Sequence, residues 1–243
     1  MFEKLIRTGA TWTTLTGGTF VFGSGATVAG TVGRPDGSDW CARTWSLLLL
    51  RSIGVTWETR GATVDDLGPA VLMCNHRSHL DGPLLLNALP FRFAFVIKRS
   101  LAKIPFFGWG VTRAGYVSID RSDHADAMAG MTEAVKAIRG GRRVLVFPEG
   151  TRSPTGDFLP FKKGGVVLAL NARVPVLPIA IAGTRALLPR DSLTFHSGHA
   201  VVNVGEPIPT EGLAYEDRNA LLGRVEAEIR RLYGEAEAAL DQK

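Results

Sequence analysis

The chain has 243 residues, 45% of them hydrophobic and 21% charged, which excludes general disorder and allows one sizeable α/β domain, alone or with a small extension. Its 28 Lys and Arg against 23 Asp and Glu give a formal net charge of +5; that excess favours anionic partners, and the absence of a dense basic run or an RNA-module signature argues against nucleic acid. Two cysteines, Cys41 and Cys74, exclude a disulfide framework and a cysteine-type zinc site and fit a reducing compartment.

Residues 8–33 form a run of 26 without a charge, long enough to cross a bilayer as a helix. Seven glycines and eight threonines dilute it, and Gly17-Gly18 interrupts any compact signal-peptide core. The expectation is a segment that lies in or dips into a membrane; a true span, a signal peptide or a buried hairpin stays open. Arg34-Pro35-Asp36-Gly37 reads as a turn, and Trp40 to Ile53 as a short apolar helix. Its tryptophans, with Arg43 and Arg51 near one face, suit a membrane interface; packing on the domain is the alternative. Residues 1–54 are thus read as a membrane-associated segment and 55–243 as an α/β domain.

From Val55 onward short apolar runs alternate with helical patterns. Strand-like runs lie at Val71–Cys74, Phe93–Ile97, Tyr116–Ile119, Val144–Phe147 and within Val174–Ala182, with weaker ones at Leu193–Phe195 and Ala200–Val204. Helices are expected over Pro83–Leu89, through the stripe Ala125, Met128, Met131, Val135 and Ile138, over Gly164–Asn171, and at the C-terminus through Leu221, Val225, Ile229 and Leu232. The pattern predicts an α/β fold: a mostly buried mixed sheet of about seven strands flanked by helices, preceded by an N-terminal membrane-docking helical element.

The most informative stretch is Asn75-His76-Arg77-Ser78-His79-Leu80-Asp81-Gly82-Pro83, directly after a strand, where α/β folds place their sites. On one continuous helix His76 and Asp81 would stand about 140° apart and not meet. Pro83 is tolerated only in a first helical turn, so the helix begins near Asp81 to Pro83 and the preceding loop can bring the pair together. An ionised Asp81 at that helix start would orient the imidazole and leave its other nitrogen to take a proton. Three blander readings stay open: Ser78 and Asp81 as a capping box, His76, His79 and Asp81 as metal ligands, and Cys74 as a nucleophile served by His76.

Three later segments add to this. Gly115 to Arg121 is a strand ending in Asp120-Arg121, with Arg121 free to fork onto a phosphate or to pair with Asp120 or Asp123. Phe147-Pro148-Glu149-Gly150-Thr151-Arg152-Ser153 follows another strand, and Val174 to Ala180 is an apolar strand framed by Pro175 and Pro178. In this order the four blocks resemble the glycerolipid acyltransferase family, most closely its 1-acyl-sn-glycerol-3-phosphate acyltransferase members, from about Val55 to Val204.

The resemblance implies His76 as base and Asp81 as its partner. It implies Arg121 and Arg152, with Lys98 as a further candidate, as ligands of the acceptor's phosphate. Glu149, Gly150 and Thr151 would line the acceptor site, and Pro175 would shape the acyl-donor pocket. Lys162 and Lys163 would meet the donor's phosphates or simply begin a solvated helix. The implied reaction moves an acyl group from acyl-CoA or acyl-carrier protein to the sn-2 hydroxyl of 1-acylglycerol-3-phosphate, at the cytoplasmic face of the cell membrane, with no metal or other cofactor. Backbone amides near His76 or Gly150 are candidates for stabilising the oxyanion. The rivals are the same chemistry on another acceptor (glycerol-3-phosphate, another lysophospholipid or a lyso-aminolipid), a thioesterase-like lipid hydrolase, and a non-catalytic lipid-binding protein. No Gly-x-Ser-x-Gly elbow supports a serine hydrolase.

Overall fold

The computed structural model describes residues 2–120 and 123–242, so Arg121 lies outside the described residues. Helices α1 (Phe2–Thr31) and α2 (Pro35–Ile53) come first, then strand β1 (Val55–Gly61). There follow β2 (Val71–Cys74), α3 (Asp81–Ala88), β3 (Ala94–Lys98), α4 (Arg99–Ala102), α5 (Phe107–Arg113) and β4 (Val117–Ile119). The remainder is α6 (His124–Arg139), β5 (Val144–Val146), α7 (Gly164–Ala172), β6 (Val176–Ala182), α8 (Thr184–Leu187), β7 (Gly198–Val204) and α9 (Arg218–Leu240).

The seven strands form one sheet in the order β1-β7-β6-β2-β5-β3-β4. Every pair is parallel except β6 with β7, so the sheet is mixed, as expected. Strand side chains alternate between faces. Leu72, Cys74, Leu145, Leu177 and Ile179 pack with Leu49, Leu50 and Ile53 of α2 and with Leu84 and Leu85 of α3. Val71, Met73, Val144 and Val176 pack on the other side with Ala134 and Ile138 of α6, Val166 and Ala169 of α7, and Val225 and Ile229 of α9. Central strands covered on both faces are apolar in both registers, which is why they read as continuous runs.

Three local expectations are corrected. The turn expected at Arg34-Pro35-Asp36-Gly37 is instead the entry to α2, with Pro35 in its first turn, where a missing amide costs no helical hydrogen bond. Leu193–Phe195 is not a strand; the seventh strand is β1, on the sheet edge, where Glu58 and Arg60 pair at 2.7 Å. Arg43 is turned inward, donating to the carbonyls of Leu86, Leu89 and Phe91 at the end of α3, and is not a surface cation.

Gly17-Gly18 does not interrupt α1. The threonine hydroxyls at 13, 14, 16, 19, 27 and 31 each donate to the carbonyl four residues earlier, so the helix satisfies its own polar side chains. Among the described residues no helix is long and apolar enough to cross a membrane. Glycines let a second helix lie close to α1: a Cβ at Gly23 would stand 2.6 Å from the Phe106 carbonyl oxygen, and one at Gly30 would stand 2.6 Å from the Arg113 Cβ.

Leu145 is fully buried at the centre of the sheet. Leu145→Ala is expected to destabilise the chain by about 2–5 kcal/mol through lost burial and the residual cavity, measured by denaturant unfolding. A loss under about 1 kcal/mol would mean that the core around β5 collapses to fill the space.

Candidate active site

Strands β2, β3, β4, β5 and β6 run the same way, so their C-terminal ends form one rim. Asn75 anchors the exit of β2: its side chain donates to the Ile181 carbonyl at 2.9 Å and accepts from the Ile181 amide at 2.8 Å. The chain then turns and α3 begins at Asp81, with Pro83 in the first turn.

That turn closes His76 onto Asp81. His76 Nδ1 and Asp81 Oδ2 stand 2.8 Å apart. The same oxygen accepts the amides of Arg77 at 2.7 Å and Ser78 at 2.9 Å, and Oδ1 accepts the Thr184 hydroxyl at 2.6 Å. The carboxylate is fully buried, and these four donors replace the water it has lost. A carboxylate at Nδ1 selects the tautomer with the proton there, which leaves Nε2 as a proton acceptor. The imidazole lies flat on Phe147, centroids 3.9 Å apart and planes 13° apart, with a fifth of its side-chain surface still exposed.

A second buried pair stands behind the first. Glu149 accepts the His76 amide at 2.8 Å through Oε1 and the Leu159 amide at 2.9 Å through Oε2, and Oε2 lies 3.5 Å from Arg77 Nη1. The Arg77 guanidinium in turn covers the ring of Phe158, 4.3 Å from its centroid, and donates to the Asp157 carbonyl. The Ser153 amide donates to the His76 carbonyl at 3.2 Å, so the loop after β5 grips the catalytic loop from both sides of its backbone.

These contacts bear on several expectations. Glu149 faces inward and holds the loop, its two oxygens accepting the His76 and Leu159 amides. Gly150 and Thr151 sit beside it, Thr151 exposed, and neither lines the cavity described below. The His76 and Gly150 amides are already bonded, to Glu149 and to the Phe147 carbonyl, so neither serves an oxyanion in this arrangement. Pro175 precedes β6 and its carbonyl accepts the Val71 amide at 3.0 Å, at the end of the strands opposite His76, and it does not line the cavity.

Of the capping box expected at Ser78 and Asp81, half is present: the Ser78 amide donates to Asp81 Oδ2 at 2.9 Å, while the Ser78 hydroxyl donates to the Leu188 carbonyl at 2.8 Å and accepts the Leu80 amide at 3.2 Å. Cys74 is wholly buried, and burial followed by the charges of Asp81 and Glu149 pushes its thiol well above the usual range. A protonated, enclosed thiol is no nucleophile. Among the described residues no group of three or more metal-ligating side chains is gathered.

Cations border the pair. Arg152 donates to the Arg190 carbonyl at 2.9 Å, and Arg190 donates to the Arg152 carbonyl at 2.8 Å. Burial and then the charge of Arg190 lower the pKa of Arg152, as expected of two neighbouring guanidiniums. Burial and then Arg152 hold His79 below the usual imidazole value, so it is neutral at pH 7. Lys98 is exposed at the end of β3, opposite Ile119 of β4. Lys162 and Lys163 are exposed just before α7.

His76 also lines a cavity of about 610 Å³. Its wall is mostly apolar and is built from α1 and α2 (Leu15, Phe22, Trp45), α5 (Phe107, Val111), Phe95 of β3 and Tyr116 just before β4, with Arg190 and Asp191 among its polar lining. The apolar residues at Leu193–Phe195, misread as a strand, belong to this wall, with Phe195 meeting Trp12 edge-on at 5.8 Å.

A family model described as Acyltransferase matches residues 57–182. Human 1-acyl-sn-glycerol-3-phosphate acyltransferase alpha is 38% identical over 174 residues, covering 71% of this chain and 62% of that protein. The mouse protein of the same name is 35% identical over 195 residues, covering 78% and 68%. The chain belongs to the acyltransferase family. The crystal structure of the 1-acyl-sn-glycerophosphate (LPA) acyltransferase PlsC from Thermotoga maritima matches at a TM-score of 0.84 with 26% identity, over 98% of this chain and 97% of that one. The chain spans about half to two thirds of the length of the curated relatives it matches.

In this member of the acyltransferase family, sequence reading missed three residues: Thr184, Arg190 and Arg77. A hydroxyl directly after the β6 strand run was the only signal for Thr184, and the polar cluster Pro189-Arg190-Asp191 the only one for Arg190. Arg77 gave none, because its burial depends on the distant Phe158.

Thr184→Val leaves Asp81 Oδ1 without its donor at nearly unchanged volume. Turnover is expected to fall about 5- to 30-fold and the unfolding free energy by about 1–2 kcal/mol, because a buried carboxylate loses a donor in both cases. Cys74→Ala is expected to stay within a few-fold of wild type; a loss of several orders of magnitude would restore the thiol as nucleophile.

Proposed function

We propose that this chain is an O-acyltransferase that moves a fatty acyl group from a thioester donor, acyl-CoA or acyl-carrier protein, to the sn-2 hydroxyl of 1-acyl-sn-glycerol-3-phosphate, giving phosphatidate. The observation that carries the reading is the 2.8 Å contact between His76 Nδ1 and a fully buried Asp81, at the junction of an apolar cavity and paired arginines. An amphipathic lipid with a phosphate beside its free hydroxyl fits that junction. Relatives named as 1-acyl-sn-glycerol-3-phosphate acyltransferases support the same acceptor.

The chemistry follows from the geometry. His76 Nε2 takes the proton from the sn-2 hydroxyl, and Asp81 stabilises the imidazolium that results. The alkoxide attacks the thioester carbonyl, the tetrahedral intermediate collapses, and the thiolate leaves and recovers the proton from the imidazolium. The thioester is already activated, so the scheme invokes no cofactor. Arg152 and Arg190 are read as the grip on the acceptor's phosphate, with Lys98 and Arg121 as further cations; acyl-chain carbons would occupy the cavity.

The partner surface is read as the cytoplasmic face of a membrane. The exposed Phe20, Val21 and Val28 of α1, Val32 just after it and Trp40 of α2, with the self-satisfied threonines, support a helix lying in the interface rather than across it.

The purified chain, given labelled donors of both kinds and lysophosphatidate, is expected to form labelled phosphatidate. His76→Ala and Asp81→Asn are expected to lower turnover by about 10³–10⁴-fold, the scale seen when a base or its orienting carboxylate is removed elsewhere. Free fatty acid as the main product would make the enzyme a hydrolase instead. Arg190→Ala is expected to raise KM for lysophosphatidate about tenfold or more with kcat nearly kept, and to leave KM for a neutral 1-acylglycerol unchanged. Equal losses on both acceptors would remove Arg190 from phosphate binding.

A further inference from the structure

The segment between β3 and β4 does more than connect them. Helix α5 and the turn before it pack along α1: the Phe106 carbonyl sits against Gly23, Gly110 against Gly23 and Ala26, and Arg113 against Gly30. The inner side of the segment lines the cavity through Leu101, Phe107 and Val111. Its outer side is apolar and largely exposed: Ile104 and Trp109 are 44% and 52% exposed. A ring chain joins it to α1, with Phe20 edge-on to Phe106 at 4.7 Å and Phe106 edge-on to Trp109 at 5.0 Å.

Two further observations indicate what covers this face. From Lys98 to Ala114 the sequence holds Lys98, Arg99, Lys103 and Arg113 and no acidic residue. Arg99 is paired with Asp126, whereas Lys103 and Arg113 bracket the exposed Ile104 and Trp109 in sequence. An apolar tip with an aromatic side chain and cations on either side is the arrangement that enters an anionic lipid surface. Phe106 also holds φ at 62°, costly for a bulky residue, in the turn that carries its ring into the Phe20 and Trp109 contact.

We infer that residues 99–113 form a second membrane-docking element, separate in sequence from α1 and α2, which seats Ile104 and Trp109 among the acyl chains of a bilayer and sets Lys103 and Arg113 on anionic phospholipid headgroups. The element is one wall of the cavity, so docking opens that wall toward lipid and gives an acyl chain a path from the bilayer to His76. This rests on the membrane-surface reading above and adds to it where the contact is made and which lipid charge it needs.

The full-length chain, wild type and variants, is tested for binding to vesicles of phosphatidylcholine alone and of phosphatidylcholine mixed with phosphatidylglycerol. K103E/R113E is expected to bind the anionic vesicles about tenfold more weakly or worse and to bind neutral vesicles as wild type does. I104S/W109S is expected to weaken binding to both. V21S/V28S, on α1, tests the N-terminal helix separately. If the two segment variants bind as wild type while V21S/V28S is lost, the inference is overturned and the N-terminal reading stands. If wild type binds neither vesicle, both fall. Hydrogen exchange on the wild-type chain avoids any folding defect: peptides covering 99–113 are expected to gain protection on anionic vesicles. Unchanged exchange there, with the chain bound, overturns the inference.

Discussion

A carboxylate held without water sets the arrangement of this molecule. Asp81 accepts from the His76 ring, two successive backbone amides and the Thr184 hydroxyl while fully buried. Removing an ion from water is costly unless such donors replace its hydration, and here they come from two places far apart in sequence: the loop between β2 and α3, and Thr184 after β6. Each must be held to a few tenths of an ångström, so the ends of β2 and β6 are tied by Asn75, and Gly183 takes a φ of 91° to present Thr184. The imidazole orientation that the chemistry uses is a consequence of solvating that one charge from within.

The second buried pair serves the same end from the other side. Glu149 bonds the backbone of His76, and Arg77 balances Glu149 while resting on Phe158 against α9. An acid and an arginine that look like surface chemistry in the sequence are an internal brace. The proposed phosphate ligands are on the rim, where Arg152 and Arg190 are each bonded to the other's carbonyl and Arg190 also lies 3.7 Å from the Asp191 carboxylate. Two neighbouring like charges repel, and a dianionic ligand between them relieves the repulsion.

The site is a junction between two media. One side is polar and cationic, the other an apolar cavity walled by α1, α2 and α5. Those helices leave apolar side chains outside as well as inside, and α1 folds its many threonine hydroxyls back onto its own carbonyls. A protein surface that is apolar on both sides of a thin wall suits a substrate that is itself part of a lipid layer.

Much of this was legible in the residues. Pro83 placed the start of α3, and that placement made a meeting of His76 and Asp81 possible; the period-2 and period-3.6 patterns located most strands and helices. Local pattern failed where side chains answer to distant partners. Edge strand β1, with Glu58 and Arg60, lacks the apolar run that marks a buried strand, whereas Leu193–Phe195 has one because it faces a cavity. Gly17-Gly18 looked like a break, but α1 continues because small residues allow neighbouring helices to lie against it. The sequence by itself determined which residues could do acid–base chemistry and roughly where the chain turns, because those depend on neighbours a few residues apart. Only the tertiary structure decided that Glu149 braces the His76 loop, that Pro175 stands at the opposite end of the strands, and that Thr184 and Arg190 come near His76 and Asp81. Burial and hydrogen-bond partnership over a hundred residues of chain are properties of the packed sheet and its rim.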